Sequence, residues 1–193
     1  MGTSDPPTPQ PGEIPREFDR QVVLKDGAHV WLRAIRPDDE PRLVDLYGRL
    51  SQHTAYQRFF TVMKRLPPDW AHFFANVDYR RRMAVVAERE HEGRVELIGV
   101  GRYEASDEEA AAEVAFVVQD GWQGKGLGTV LLQELLRAGA ARGITRFRAY
   151  VLADNVRMLD LLARLTDVLD SRTEDGVKAI VFAPRDAARA GAP

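Results

Sequence analysis

The segment from Val114 to Thr129, V-A-F-V-V-Q-D-G-W-Q-G-K-G-L-G-T, constrains this chain more than any other. An apolar run of strand character enters a glycine-rich turn, and the turn opens directly into an apolar helical pattern. That arrangement aims several unpaired backbone N–H groups, and the positive end of a helix dipole, at one place. The natural occupant is an anion, above all a phosphate. Gly124, Gly126 and Gly128 permit close approach and positive φ, and Lys125 adds a charge nearby. A plain strand-to-helix turn needs one glycine, not three.

Two familiar nucleotide loops do not match. A Walker loop requires Ser or Thr after its Gly-Lys, and here Gly126 follows Lys125, while Gln119 occupies the place of the first glycine. The dinucleotide pattern G-x-G-x-x-G fails because its third glycine comes one residue early, at Gly128.

The rest of the chain supplies a frame for this loop. Val22-Val23-Leu24 and Val30-Trp31-Leu32 flank Asp26-Gly27, which predicts a hairpin. Pro37-Asp38-Asp39 reads as a helix start, followed by one apolar face at Leu43, Leu46, Tyr47 and Leu50. Two shorter helical pieces are expected around 54–60 and 68–75. The period then changes, and 83–87, 95–103 and 113–118 read as strands. Asp107-Glu108-Glu109 reads as a solvated turn between two of them. Leu127, Leu131, Leu135 and Ala138 mark a helix ending near Gly143, and 147–152 reads as a strand. Met158, Leu161, Leu162 and Leu165 mark a last helix, capped by Asp154 or Asn155, before a closing strand at 177–182. The class is α/β or α+β, with a mixed sheet flanked by helices.

Composition removes several function classes. The 193 residues suggest one domain, and 45% apolar with 29% charged residues suits a soluble globular chain. The absence of cysteine excludes disulfides, thiolate metal sites and a cysteine nucleophile. His29, His53, His72 and His91 have no metal-ligand spacing, so no metal is expected. A net charge of -2 argues against a nucleic-acid protein. No stretch approaches the ~18 apolar residues of a membrane span. The N-terminus lacks the basic and apolar regions of a secretory signal, and Pro6 stands where a myristoylation motif needs Ser or Thr. A cytoplasmic protein is expected. Five prolines in the first fifteen residues lead us to read residues 1–17 as a disordered tail, 18–183 as the domain and 184–193 as a flexible tail.

Gln123-Gly-Lys-Gly126-Leu-Gly128 resembles the Q/R-x-x-G-x-G/A signature of the GNAT acetyltransferase superfamily. The strand before it, the helix after it and Asn155 beyond the next strand fall in the superfamily's order, and the resemblance covers about residues 18 to 183. It implies a mixed, mostly antiparallel twisted sheet, with acetyl-CoA bound at the strand, glycine loop and helix. A narrower resemblance lies in Leu24 to Asp39, Leu50-Ser51 and Arg58-Phe59-Phe60, which is similar to the catalytic domain of bacterial Pat-type protein lysine acetyltransferases. By these resemblances the main chain of Phe116, Val117 and Val118 would hold the pantetheine arm, and one of those N–H groups would polarise the thioester carbonyl. The stretch Gln123, Gly124, Lys125, Gly126, Leu127, Gly128 and Thr129 would carry the pyrophosphate. Asn155 would hydrogen-bond the pantetheine as well as cap its helix.

An amine must be neutral to attack a thioester, yet a lysine of pKa about 10.4 is almost wholly protonated at pH 7. A general base meets this need. The Pat-like Ala112-Glu113-Val114-Ala115-Phe116 implies Glu113 in that role. Strand alternation sets Glu113 beside Ala115 and Val117, so partial burial and a raised pKa are expected. Many superfamily members carry a tyrosine acid where this chain has Leu162, and a Gly-Phe pair where it has Thr166-Asp167. The thiolate can then leave without a protein acid; Tyr150 and Tyr103 are the substitutes, although a core tyrosine is the commoner reading. Arg80-Arg81-Arg82 reads as a solvated approach to a strand, with docking or a contact to the coenzyme 3′-phosphate as its functional reading. The expected activity is acetyl transfer from acetyl-CoA to protein lysines, acyl-CoA synthetases being the acceptors the resemblance suggests. The alternatives are a small-amine acetyltransferase and a catalytically weak acyl-CoA sensor. Oligomeric state is left open.

Overall fold

The computed structural model describes residues 13–106 and 111–185. Residues 1–12 and 186–193 of the two expected tails, and the acidic turn at 107–109, lie outside the described residues. The chain is already packed before residue 18: Pro15 is buried, and Glu17 accepts a hydrogen bond from Arg142 Nη1 at 3.0 Å.

The Asp-Gly signal forms its hairpin. β1 (Arg20–Val23) pairs antiparallel with β2 (His29–Ala34), and Gly27 takes φ +83° at the turn. A 3-10 turn over Pro37–Asp39 leads into α1 (Glu40–Gly48), which buries Leu43, Leu46 and Tyr47; Leu50 falls past the helix end and is half-buried. α2 (Gln52–Phe59) is capped by Ser51, whose Oγ accepts from the Thr54 N–H at 3.1 Å. α3 (Pro68–Ala75) begins with a proline in its first turn.

Three long strands follow: β3 (Arg82–His91), β4 (Arg94–Glu104) and β5 (Ala112–Val118). Then come α4 (Leu127–Ala140), β6 (Phe147–Leu152), α5 (Val156–Leu165), β7 (Thr166–Glu174) and β8 (Val177–Pro184). The eight strands form one sheet in the order β1-β2-β3-β4-β5-β6-β8-β7. Every pairing is antiparallel except β5 with β6. α4 lies across β3, β4 and β5 on one face, α1 and α2 cover β4 and β5 on the other, and α3 packs on α1. Two glycines set the depth of α4. A Cβ on Gly101 would stand 3.0 Å from Leu135 Cδ1, and one on Gly99 3.3 Å from both Leu127 Cδ2 and Leu131 Cδ1.

β7 is an addition to the sequence reading. Its residues T-D-V-L-D-S-R-T-E bury only Thr166, so no apolar alternation announces it. It is an edge strand held by its hydrogen bonds to β8. At Thr166-Asp167, Thr166 is buried and its Oγ1 donates to the Leu162 carbonyl at 2.7 Å, closing α5 directly into β7.

Candidate active site

The parallel pair β5–β6 holds register only at Ala112 with Phe147 and Glu113 with Arg148. Beyond those residues the two strands part, which leaves one edge of β5 without a neighbour. Alternation decides which main-chain groups that edge presents. The Gln119 N–H donates to Ile98 of β4, so Val117 and Ala115 also turn their main chain toward β4. The N–H groups of Phe116 and Val118 therefore face the gap. Of the three residues expected to hold a pantetheine arm, Val117 offers side-chain surface while its main chain is engaged with β4.

The gap opens into a cleft of about 1040 Å³, lined by Phe116, Val117, Val118, Gln123, Gly124, Gly126, Gly128, Thr129 and Asn155. Gly124 and Gly126 hold φ of +76° and +94°, the left-handed region that side-chain-bearing residues avoid. Gly126 is the N-cap of the 14-residue α4, so the free N–H groups of its first turn and its dipole end point at the cleft. Gly128 is small for packing: a Cβ there would meet Phe116 Cε2 at 3.4 Å. Asn155 caps α5, its Oδ1 accepting from the Met158 N–H at 3.2 Å, and also borders the cleft.

Two of the expected loop residues turn elsewhere. Lys125 Nζ pairs with Asp26 Oδ2 at 2.9 Å and lies 4.8 Å from the Trp122 ring centroid, so its charge clamps the loop to the β1–β2 turn. Leu127, the first residue of α4, is buried against Gly99 of β4. Lys25 lines the cleft instead, together with Arg157 and Arg164. Nothing local to the glycine loop points to Lys25, which lies a hundred residues away in sequence.

Gln123 has a structural task as well. Its Nε2 donates to Thr54 Oγ1 at 3.1 Å and to the Val118 carbonyl at 3.0 Å. Beside it, Asp120 accepts from the Ser51 N–H at 2.9 Å, Ser51 Oγ at 2.6 Å and Thr54 Oγ1 at 2.8 Å. Burial alone would raise the Asp120 pKa, but these hydrogen bonds outweigh it and hold the carboxyl below its usual range. The network ties α2 to the loop, which brings His53, Gln57 and Arg58 to the cleft wall.

Glu113 stands outside this cleft, in a second recess of about 320 Å³ on the α1–α3 face of the sheet. Its neighbours there include Ala115, Arg102, Glu104 and the rings of Phe59, Trp70 and Phe74, and Arg58 borders both cavities. The expected partial burial is corrected: Glu113, near the start of β5, is exposed, whereas Val117 farther along the same face is buried. Leu162 is buried, so α5 offers no acid at that position. Tyr103 is a core residue whose hydroxyl donates to the Arg80 carbonyl at 3.0 Å, and burial pushes its phenol far up. Tyr150 is exposed on β6 and borders neither cavity. Arg82, from the basic run, donates to the carbonyls of Asn76 and Phe73 and stacks on the Phe73 ring. Among the described residues no three His, Asp or Glu side chains cluster as metal ligands.

The model of the acetyltransferase (GNAT) family matches residues 49–166, more than half of the chain. The chain belongs to that family. It is 32% identical over 157 residues to acetyltransferase PA5475 of Pseudomonas aeruginosa, covering 81% of this chain and 84% of that one. It is 33% identical over 145 residues to acetyltransferase Pat of Mycolicibacterium smegmatis; the match covers 75% of this chain but 43% of that protein. Among solved structures, the GNAT domain of S. lividans PAT superposes with a TM-score of 0.78 at 34% identity, covering 89% of this chain and 99% of that one. The yncA protein of Salmonella typhimurium, solved with its cofactor acetyl-CoA, shares the fold at a TM-score of 0.61 and 17% identity, over 82% of this chain and 96% of that one. The protein is thus a GNAT acetyltransferase, a family that uses acetyl-CoA, and it is related to Pat-type domains.

Proposed function

We propose that this GNAT protein transfers the acetyl group of acetyl-CoA to lysine side chains of proteins, acyl-CoA synthetases among them, with Glu113 as the general base. The observation that carries this reading is the course of β5. One end of the strand presents free main-chain groups to the cleft, and the other places Glu113 in the adjoining recess.

The cleft's residues fit acetyl-CoA. The edge of β5 has main-chain N–H groups at Phe116 and Val118 for an extended amide-bearing arm. The left-handed Gly124 and Gly126, with the α4 N-terminus and Lys25, suit a pyrophosphate. Bound there, acetyl-CoA supplies an activated thioester. Glu113 takes the proton of the amine as the C–N bond forms and the C–S bond breaks. An N–H of Phe116 or Val118 stabilises the charge developing on the carbonyl oxygen. With Leu162 in place of a tyrosine, the sulfur departs as the thiolate and takes its proton from solvent. A cytoplasmic setting, where acetyl-CoA is made, belongs to the same proposal.

The recess is large enough for a whole small amine, so the test uses both acceptor classes. Thiol release from acetyl-CoA is followed with an acyl-CoA synthetase and with a panel of amines, for wild type and Glu113→Gln. The expected result is a fall of about 100-fold in turnover on the synthetase, with acetyl-CoA binding retained. Acetylation confined to small amines would remove the protein acceptor. Equal rates in wild type and Glu113→Gln would remove the general base.

A further inference from the structure

Arg102 stands out among the buried cations. It is 5% exposed, lies on β4 across from Ala115, and lines the recess that holds Glu113. Its Nε and Nη2 have no hydrogen-bond partner. Arg82 and Arg142 each have one such nitrogen but anchor both other nitrogens of their guanidinium groups through hydrogen bonds, and Arg89 has one while its Nη2 reaches Glu96 at 3.4 Å. Arg102 alone among the described residues has two orphan donors. Phe74 covers its face at 4.1 Å from the ring centroid, and Glu104 Oε1 comes only to 3.5 Å from Nε, too far for a hydrogen bond of useful strength. Burial, with the repulsion of Arg58 and Arg82, lowers its pKa to about 10 despite Glu104. A buried, under-paired charge of this kind destabilises the fold, which makes its retention in a functional recess informative.

Nε and Nη2 lie on one edge of the planar guanidinium. Two parallel N–H donors on one edge match the two oxygens of a carboxylate. In the same recess, the rings of Phe59, Trp70 and Phe74 give apolar walls suited to a methylene chain, and the carboxylates of Glu113 and Glu104 attract an ammonium group. Glu104, with its side chain 37% exposed, is the movable group that covers the edge. We propose that Arg102 is the acceptor-reading residue of this enzyme, and that the preferred acceptor is an amine tethered to a carboxylate, which displaces Glu104 and forms a bidentate pair with Arg102. A free amino acid and a lysine flanked by an acidic side chain in a protein share that chemistry. The inference rests on the acyl-transfer reading above.

The test uses acceptors that differ only in the carboxylate. One pair is 6-aminohexanoate and hexylamine; the other is a lysine peptide with glutamate or glutamine beside the lysine. Calorimetry first establishes that wild type, Arg102→Gln and Arg102→Lys all bind acetyl-CoA, which separates this test from failure of the coenzyme site. Wild type is expected to favour the carboxylate-bearing member of at least one pair by about tenfold in kcat/KM. Arg102→Gln should abolish the preference by slowing that member, and Arg102→Lys, which keeps the charge without the fork, should retain part of it. The pair that responds identifies the source of the carboxylate. Equal wild-type rates within both pairs, or a preference that survives in Arg102→Gln, would overturn the inference while acetyl transfer stands. Where no amine turns over, binding of 6-aminohexanoate or the glutamate peptide to the acetyl-CoA complex, lost in Arg102→Gln, upholds it. Neither turnover nor binding overturns it. Arg102→Met is the second variant should Arg102→Gln fail to fold.

Discussion

Arg33 on β2 and Arg102 on β4 are buried almost equally, at 2% and 5% exposure, yet the chain treats them in opposite ways. Arg33 is saturated. Its Nη1 and Nη2 donate to the two oxygens of Asp39 at 2.6 and 2.8 Å, its Nε to Glu88 at 2.8 Å, and Nη1 also to the Ala34 carbonyl. Burial alone would lower its pKa, but Asp39 and Glu88 outweigh that and raise it. Arg102 keeps two donors idle, and its pKa falls. The first guanidinium cements the junction of β2 and the turn before α1; the second waits in a recess beside Glu113. Burial of a charge therefore says little by itself, and the partners decide whether it is architecture or a site.

The largest effect expected from this contrast is at Asp39. Asp39→Ala leaves Arg33 buried with half its partners gone and should destabilise the fold by about 3–5 kcal/mol in urea unfolding. The same pair gives stability an acid limb. Burial would raise the Asp39 pKa, but Arg33, the Arg36 N–H and Arg42 hold it below the usual value. A carboxyl depressed in the fold contributes stability that is present above its unfolded pKa of about 3.9 and lost as pH falls through the folded value. Melting temperatures below about pH 4 should therefore drop more steeply in wild type than in Asp39→Asn. Arg102→Met is expected to behave in the opposite sense, melting at or above the wild-type temperature, because an unpaired buried charge is replaced by an apolar chain. A loss as large as that of Asp39→Ala would mean that Arg102 is architecture after all. The smallest effect carries the same logic to the loop lysines. Lys25→Ala should weaken acetyl-CoA binding by about 3- to 10-fold in calorimetry, and Lys125→Ala, whose lysine is already paired with Asp26, by less than about twofold.

Much of the fold was legible because its signals are local. The Asp26-Gly27 hairpin, the apolar face of α1, the leucines of α4 and the cap at Asn155 each lie within a few residues of the element they specify. β7 was not legible, since an exposed edge strand needs no apolar alternation. The glycine-lined cleft was traceable to Gln123–Thr129 because a main-chain anion site is written in closely spaced glycines at a helix start. Within that stretch the side chains of Lys125 and Leu127 are engaged elsewhere, one with Asp26 and the other in the core. A side chain's direction depends on what the loop packs against, here Asp26 and the sheet.

The recess beside Glu113 shows the other limit. Phe59 and Phe74 come from two helices, Arg102 and Glu104 from β4, and Glu113 from β5, and no spacing in the chain links them. Their meeting depends on α1–α3 closing over one face of the sheet while α4 covers the other. The sequence by itself determined the glycine turn, the helix that starts there and the carboxylate one strand away, because backbone conformation is a property of neighbouring residues. Tertiary structure alone decided that β5 and β6 part after two residue pairs, that Lys25 rather than Lys125 reaches the cleft, and that Arg102 is buried without its partners. Those outcomes depend on contacts between segments far apart in the chain, where packing and desolvation are settled together.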